Sequence, residues 1–272
     1  MNLLQIEGLK IWDSRNEDKI VKSVSFDVKE HSCVAIVGES GSGKSMTAKA
    51  INKLHKPWIK FDGAIKYKGK DLLNEPLSYI KNIRGSESFM IFQNGMSAFD
   101  PSVSIGTTLY EILNENLKIE KDAAENLIIS VMEKVLLKNP KDLLKKYPHQ
   151  LSGGMLQRFM IALAIALRPR VIIADEPTTA LDCITEYEIV KELIHIRKLY
   201  DVTMIFISHD LGIVKKLADY VVFLKDGKVV EQGVTETVFH QPESDYAKTL
   251  ISTYQILGDN YKKLMKRMTE NA

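Results

Sequence analysis

Cysteine is scarce in this sequence, with Cys33 and Cys183 the two occurrences in 272 residues. So low a content argues against a disulfide framework or a cysteine metal cage as the basis of the fold. Long hydrophobic runs are also missing: the most apolar stretch, residues 159–167, ends at Arg168. A membrane-spanning helix needs about 20 such residues, so we expect no span. The first residues show no basic segment leading into an apolar core, and we expect no secretory signal.

An excess of charge of either sign is absent as well. There are 37 basic and 35 acidic side chains, for a formal net charge of +2. Neither a nucleic-acid partner nor an acidic tail is indicated by this balance. Internal repeats and low-complexity tracts are also missing. With 45% hydrophobic residues, the composition is typical of a folded cytoplasmic protein.

What the sequence does contain is an alternation of strand-like and helix-like segments, which indicates an α/β fold. Unbroken apolar runs of the kind that form parallel strands buried on both faces occur at residues 33–37, 89–92, 171–174, 203–207 and 220–224. A helix is expected over residues 45–54. Between residues 104 and 167 the apolar spacing is helical throughout, which predicts a helical subdomain inserted between two strands.

Two connecting segments are predicted from their composition. Residues 71–84 are expected to form a surface connector whose direction is broken at Pro76. Residues 225–228, with the sequence Lys-Asp-Gly-Lys, are expected to form a turn between two late strands.

A glycine-rich octapeptide follows the first of these strands and precedes the first helix, and it reads Gly38-Glu39-Ser40-Gly41-Ser42-Gly43-Lys44-Ser45. It fits the P-loop pattern, in the strand–loop–helix context that such a loop requires. Glycines let the backbone wrap closely around phosphates, with N–H groups pointing inward at a helix N-terminus. Lys44 is expected to neutralise the outer phosphates and the Ser45 hydroxyl to ligate Mg²⁺. The motif predicts a nucleotide site.

Four further polar residues come directly after apolar strands. Asp175 and Glu176 follow residues 171–174, where an Asp can hold a metal and a Glu can polarise water. His209 and Gln93 each follow another strand. Taken singly, acids often cap buried strands, and an isolated His or Gln is usually a packing or surface residue. Beside a P-loop, the Asp-Glu pair becomes the expected second half of a hydrolytic site.

One further motif specifies the family, and it reads Leu151-Ser152-Gly153-Gly154-Met155-Leu156-Gln157-Arg158. It resembles the signature of ABC ATPases, although alone it would fit an ordinary helix start capped by Ser152. The flanking motifs remove that ambiguity: they are Tyr-Pro-His-Gln at 147–150, Ala-Asp-Glu-Pro-Thr-Thr-Ala-Leu-Asp at 174–182, Ser-His-Asp-Leu-Gly at 208–212 and Gly-Lys-Val-Val-Glu-Gln-Gly at 227–233. Together they resemble the ATPases of the peptide and nickel importer family over nearly the whole chain, up to about residue 250.

The resemblance implies a P-loop NTPase core with an N-terminal antiparallel β-subdomain and an inserted α-helical subdomain. It implies an ATP-binding domain over residues 1–253, with the helical part at about 96–165, and a short tail at 254–272. Two such domains would close head to tail around two ATP molecules. By this resemblance, Glu176 would be the general base, Asp175 the Mg²⁺ residue and His209 the γ-phosphate sensor. Gln93 would sense metal and water and link the site to the permease, and Trp12 would stack on adenine. Ser152, Gly153 and Gly154 would complete the partner's site, and Asp182 would lie at the dimer seam.

The resemblance also implies partners and a location. An importer of this family would contain two transmembrane permeases and a second, related ATPase, and would receive its cargo from an extracytoplasmic solute-binding protein. The chain would then lie peripherally on the cytoplasmic side of the cell membrane, contacting the membrane through the permeases. Its cofactors would be ATP and Mg²⁺.

Several positions depart from the family pattern. His31-Ser32 replaces a glycine turn, Asn94-Gly95 replaces the usual Asp-Pro after Gln93, and Leu156 stands where a basic residue is common.

The chain also carries no cysteine after Cys183, whereas peptide importers often extend further with a cysteine-rich motif. This favours a metal ion or metal chelate, such as nickel or cobalt, as cargo, with di- or oligopeptides as the alternative. The six histidines show no pair at metal-ligand spacing, and the basic residues at 261–267 fit a solvated helix end better than a lipid or partner contact.

Other classes of ABC ATPase fit less well. A DNA-repair or chromosome-organising ATPase would need a long coiled coil or zinc module between Lys44 and Ser152, and a ribosome-associated factor would need two tandem domains. A non-enzymatic regulator would be expected to lack Glu176 or Lys44, and both are present. An exporter ATPase is harder to distinguish, although the sequence of residues 178–182 favours the importers.

Overall fold

The computed structural model describes residues 1–179 and 181–256. The strands are β1 (Asn2–Asp13), β2 (Asp18–Lys29), β3 (Cys33–Val37), β4 (Ile59–Tyr67), β5 (Lys70–Asp71), β6 (Ser88–Ile91), β7 (Val171–Asp175), β8 (Thr203–Ile207), β9 (Tyr220–Lys225) and β10 (Lys228–Val234). The helices are α1 (Lys44–Ile51), α2 (Leu77–Ile83), α3 (Ile105–Leu117), α4 (Lys121–Lys134), α5 (Pro140–Leu144), α6 (Gly153–Leu167), α7 (Cys183–Tyr200), α8 (Leu211–Leu217), α9 (Thr235–His240) and α10 (residues 245–256), with short 3-10 helices at Gly95–Ala98 and Pro148–Gln150.

The strands form one mixed sheet in the order β5-β4-β1-β2-β10-β9-β3-β8-β7-β6. At one end, β1 pairs with β2 and β4, and β4 with β5, all antiparallel. Along β2 every second residue from Val24 to Val28 is buried, because one face of an antiparallel sheet packs on a core while the other meets solvent. These strands are the predicted N-terminal antiparallel β-subdomain, which is confirmed.

The other half of the sheet is parallel, and it brings the candidate site together. Strand β8 lies between β3 and β7 and pairs with both in parallel. All residues of these three strands are buried, as expected for a sheet covered on both faces. Because parallel strands end at the same edge, Gly38, Glu176 and Ser208 begin three neighbouring loops there. Ligands in open α/β sheets bind at this edge.

Helices α3 to α6 lie in sequence between β6 and β7, which confirms the predicted insertion of a helical subdomain. Eleven of the fifteen residues of α6 are buried, and it packs against α3 and α4. The predicted turn between late strands is also confirmed: Asp226 and Gly227 both have positive φ, as a two-residue hairpin turn requires.

The segment at residues 71–84 is more structured than the sequence predicts. Instead of a plain surface connector, it contains α2, with Pro76 at the helix N-cap. Ile80 and Ile83 are buried in the hydrophobic core shared with the antiparallel strands. The three-residue spacing of Ile80 and Ile83 is typical of a helix. The preceding proline and the short length of the helix made this pattern hard to recognise.

His31 adopts the left-handed backbone conformation that glycine provides in the family pattern, with φ +60°. Its N–H donates to Thr203 Oγ1 at 2.9 Å, so a hydrogen bond to the first residue of β8 stabilises the turn. The β2–β3 turn therefore accommodates a residue other than glycine at this position.

No helix among residues 1–179 and 181–256 is long and apolar enough to cross a membrane. Of the predicted tail at 254–272, the first three residues belong to α10. Residues 257–272, which include the basic positions at 261–267, lie outside the described residues.

Candidate active site

The loop at residues 38–45 connects β3 to α1 and forms one wall of the site. A Cβ added to Gly38 would lie 2.2 Å from the Leu224 carbonyl oxygen, so only glycine fits there. Gly41 and Gly43 have φ of +82° and +98°, which side chains rarely adopt, and Gly43 is the N-cap of α1. The glycines thus produce a concave backbone that ends at a helix N-terminus, where N–H groups attract anions.

Lys44 is held inside this loop with 5% of its surface exposed. Its Nζ donates to the carbonyl oxygens of Gly38 and Glu39, each at 2.8 Å, and lies 3.8 Å from Glu176 Oε1. Burial lowers the pKa of Lys44, while the nearby carboxylates oppose that shift. The loop therefore presents a fixed ammonium group at the point where the phosphates of a nucleotide would enter.

Asp175 and Ser45 meet at the end of β7. The Ser45 hydroxyl donates to Asp175 Oδ1 at 2.7 Å. Burial raises the pKa of Asp175, and the hydrogen bond from Ser45 acts against that rise. A buried carboxylate beside a hydroxyl provides the oxygen ligands that Mg²⁺ prefers, so the two side chains fit a magnesium ion.

Glu176 is the hub of the site. Its φ is +44°, an uncommon value for a side-chain residue, and its N–H donates to the Ile207 carbonyl oxygen at 3.0 Å. Its Oε2 accepts from Gln93 Nε2 at 3.0 Å and from Thr179 Oγ1 at 2.9 Å, and it lies 3.8 Å from His209 Nδ1. Sequence reasoning missed Thr179, although it stands three residues after Glu176 in the quoted motif.

A cavity of about 430 Å³ collects these groups. It is lined by Ile20, Gly38, Glu39, Ser40, Gly41, Gly43, Lys44, Ser45, Met46, Gln93, Glu176 and His209. Ser42 also belongs to the loop, but it is buried and lies outside the set of described residues that line the cavity. Sequence reasoning also missed Ile20 and Met46, since single apolar side chains carry no chemical signal.

The remaining predicted residues lie elsewhere. Trp12 is half-buried on β1 and pairs with Lys19, the neighbour of the cavity residue Ile20, but it is not among the described residues that line the cavity. Asp182 caps α7, where its carboxylate accepts from the Ile184 and Thr185 N–H groups, and these hydrogen bonds with Thr185 hold its pKa below the ordinary value.

Ser152 and Gly153 are exposed at the start of α6, and Gly154 is half-buried. The Ser152 hydroxyl accepts from the Met155 N–H at 3.3 Å and caps the helix. A Cβ on Gly153 would meet nothing within 4 Å, whereas one on Gly154 would lie 2.7 Å from Thr185 Cγ2. The helix N-terminus is therefore open at Gly153, and among the described residues it does not contribute to the cavity at the P-loop.

Two departures from the family pattern contact each other. A Cβ on Gly95 would lie 2.8 Å from Leu156 Cβ, and Leu156 is fully buried. In addition, Gln157 Nε2 donates to the Phe92 carbonyl oxygen at 3.2 Å. The segment that carries Gln93 is thus packed closely onto α6.

We expect Gly95→Ala to destabilise the fold by about 1–3 kcal/mol, because the added methyl group overpacks a filled contact. Combining it with Leu156→Gly should give a smaller loss than the sum of the two single changes, since glycine at 156 removes the Cβ atom that the added methyl group would meet. Chemical denaturation of the four variants would measure this coupling. If the stability losses of the two single variants simply added in the double variant, residues 95 and 156 would not be in contact.

Comparisons with known proteins agree with this geometry. The family model described as ABC transporter matches residues 21–179. The metal-staphylopine import system ATP-binding protein CntD of Staphylococcus aureus is 43% identical over 266 residues, covering 98% of each chain. The dipeptide transport ATP-binding protein DppD of Bacillus subtilis is 41% identical over 246 residues, covering 90% of this chain and 73% of its own length.

Solved structures show the same fold. A dimeric bacterial ABC transporter cassette superposes with a TM-score of 0.75 at 25% identity, covering 85% of this chain and 98% of its own. The cbiO1 protein of Clostridium perfringens, part of the ABC transporter complex cbiONQ, superposes with a TM-score of 0.72 at 25% identity, covering 97% and 99%. The chain belongs to the ABC transporter family and is one of its ATP-hydrolysing subunits. The family predicted from the motifs is confirmed.

Proposed function

We propose that this chain hydrolyses ATP to energise an importer of a metal ion or metal chelate, such as one of nickel or cobalt. The observation that carries the proposal is the 43% identity, over nearly the full length of both chains, to the ATP-binding protein of a metal-staphylopine import system. The 41% identity to a dipeptide transport ATP-binding protein supports the second candidate cargo, a di- or oligopeptide.

Hydrolysis would use the side chains gathered around Glu176. With Oε2 fixed by Gln93 and Thr179, the Glu176 carboxylate is oriented toward the cavity as a general base for the attacking water. Lys44 would neutralise charge on the outer phosphates, and His209 would contact the γ-phosphate. The residues of the P-loop at 38–45 would hold the phosphate chain by their N–H groups.

Ser45 and Asp175 would hold a magnesium ion that accompanies ATP, with Gln93 nearby as the third contact. Such an ion neutralises negative charge that develops on the phosphate oxygens. The Ser45 hydroxyl would offer an oxygen lone pair to the cation while it keeps its hydrogen bond to Asp175. Trp12, whose strand partner Lys19 precedes the cavity residue Ile20, is proposed to stack on adenine.

The signature residues would act on a second nucleotide. Because Ser152 and Gly153 are exposed at a helix start and Gly154 is half-buried beside them, we infer that the three residues present N–H groups to the γ-phosphate held by a partner ATPase. Asp182 would lie at the seam between the two. By resemblance to the importer family, the partner is a related but distinct chain.

Gly153→Asp tests this division of labour. The position is open and lies in the first turn of α6, where a carboxylate stabilises a helix, so the variant should fold normally. Its own ATP affinity should be unchanged. Hydrolysis at the partner's nucleotide should fall on the order of 100-fold, because the added charge replaces a phosphate-binding surface.

The measurement pairs ATP titration of the isolated variant with the hydrolysis rate of the assembled complex. As a matched control, Gly153→Ala adds a methyl group without charge at the same place. Loss of ATP binding by the isolated Gly153→Asp chain would contradict the assignment, since the signature would then serve its own site.

A groove of about 840 Å³ lies between the parallel core and the helical insertion, and we propose that a permease segment docks there. Phe92 lines the groove while its neighbour Gln93 lines the nucleotide cavity, so one segment reaches both. Arg84, Asn116 and Ser88 provide polar groups along the walls, and the buried Ser88 hydroxyl has no hydrogen-bond partner among the described residues. Two permeases would hold the chain at the cytoplasmic face of the membrane. A solute-binding protein on the other side would deliver cargo to the permeases.

The cargo is tested by deleting the gene and measuring cellular nickel, cobalt and zinc under metal scarcity. We expect metal content to fall and to recover when the wild-type chain is restored, but not when Glu176→Gln is supplied. Unchanged metal content together with lost growth on di- or oligopeptides would replace the metal-chelate cargo with a peptide and leave the ATPase assignment untouched.

A further inference from the structure

The last described helix reaches the nucleotide loop. The backbone N–H of Glu39 donates to the Tyr246 hydroxyl of α10 at 3.0 Å, a contact between residues 207 positions apart. Glu39 is the second residue of the P-loop and lines the cavity. The ring of Tyr246 is half-buried, with Lys225 Nζ 5.1 Å from its centroid. This contact plays no part in the hydrolytic arrangement around Glu176.

The start of α10 is fixed to the sheet. The Glu231 carboxylate on β10 accepts from the N–H groups of Glu243 and Ser244, at 2.9 and 2.8 Å, and from the Ser244 hydroxyl at 2.6 Å. Three hydrogen bonds to one carboxylate hold the chain just before the first turn of the helix. Tyr246 therefore stands on a well-anchored segment, two residues beyond Ser244, whose hydroxyl also accepts from the Ala247 N–H at 3.1 Å and caps the helix.

The other end of α10 lies against the start of α8. A Cβ added to Gly212 would lie 3.2 Å from the ring of Tyr254. Gly212 is the second residue of α8 and follows His209 by three positions. A single helix thus touches both the P-loop and the segment that carries His209.

We propose that Tyr246 is a positioning residue for nucleotide binding, and that α10 braces the P-loop against the sheet. Glu39, Ser40 and Gly41 are exposed, so the outer part of the loop has few contacts of its own. Fixing the Glu39 peptide reduces the number of conformations that a bound nucleotide would have to order, which raises affinity. The inference rests on ATP binding by the P-loop and adds to it a residue from outside all of the recognised motifs.

Tyr246→Phe in the full chain is the test, because it removes one hydroxyl and keeps the ring. We expect the dissociation constant for ATP with Mg²⁺, measured by calorimetric titration, to rise about threefold to tenfold, the effect of losing one hydrogen bond. In the assembled complex the KM for ATP should rise in the same proportion while kcat stays within about twofold, as for a lost interaction common to ground and transition states. The melting temperature should stay within about 3 °C of the wild type.

Tyr220→Phe is the matched control, since Tyr220 is a half-buried tyrosine that lines a different cavity, between β2 and β9. It should leave the ATP affinity unchanged. An ATP affinity of Tyr246→Phe equal to that of the wild type, or an equal loss in both variants, would overturn the inference and leave ATP binding intact. A wild-type chain that binds no ATP would overturn the proposed function and the inference with it.

Discussion

Replacing Glu176 with glutamine is expected to leave ATP binding intact and to lower steady-state hydrolysis by at least about 100-fold. Glutamine keeps the shape of the side chain and can still accept from Gln93 and Thr179 through its carbonyl oxygen. It cannot take a proton from water. The phosphate cradle at residues 38–45 does not depend on the carboxylate, because Lys44 is held by two backbone carbonyl oxygens.

The measurement is hydrolysis by the assembled complex at saturating ATP, with nucleotide binding titrated separately. Glu133→Gln, the same substitution at an exposed position of α4, provides the control for handling and assembly. A Glu176→Gln variant that hydrolyses ATP at more than about a tenth of the wild-type rate would remove Glu176 from the role of general base.

Gly38→Ala is expected to have the largest effect on stability. The added Cβ would meet the Leu224 carbonyl oxygen at 2.2 Å and Ser42 Oγ at 2.8 Å. The first of these atoms belongs to the backbone of β9, which pairs with β3, so relief requires the two strands to separate. We expect a loss of about 3 kcal/mol or more, or a fall in melting temperature of roughly 6–12 °C, together with loss of ATP binding.

Gly153→Ala is the matched control for that experiment. It also changes a glycine of a phosphate-binding motif, but its Cβ meets nothing within 4 Å, and alanine is the better helix former. Its melting temperature should equal or exceed that of the wild type. A Gly38→Ala variant as stable as Gly153→Ala would show that the approach of the P-loop to β9 is looser than described.

The chemistry of the site could be predicted because its residues stand at the ends of apolar strands. Residues 33–37 and 203–207 are apolar enough to be recognised as buried parallel strands, and both are strands with those bounds. Once the strands are parallel and adjacent, Lys44, Glu176 and His209 must gather at one edge. Recognising the strands from local sequence was therefore sufficient to predict the site, because the parallel order of the strands brings these side chains together.

Contacts that join distant segments could not be predicted in the same way. The hydrogen bond from Glu39 to Tyr246 depends on the course of α10, and the packing of Gly95 on Leu156 depends on the position of the helical insertion. Nothing local distinguishes Tyr246 from other half-buried tyrosines. The helix at Leu77–Ile83 was missed for another reason: its seven residues offer two buried positions, too few for a clear helical period.

The central claim is that ATP hydrolysis at this site drives import of a metal chelate, and uptake into proteoliposomes tests it most directly. The vesicles would contain this chain with the proposed permeases and second ATPase, and would enclose ATP and Mg²⁺. Radiolabelled nickel chelate and the proposed binding protein would be added outside. We expect nickel to accumulate with the wild-type chain and to stay at background with Glu176→Gln. Accumulation that persists with Glu176→Gln, or vesicles that take up a dipeptide but no chelate, would contradict the claim.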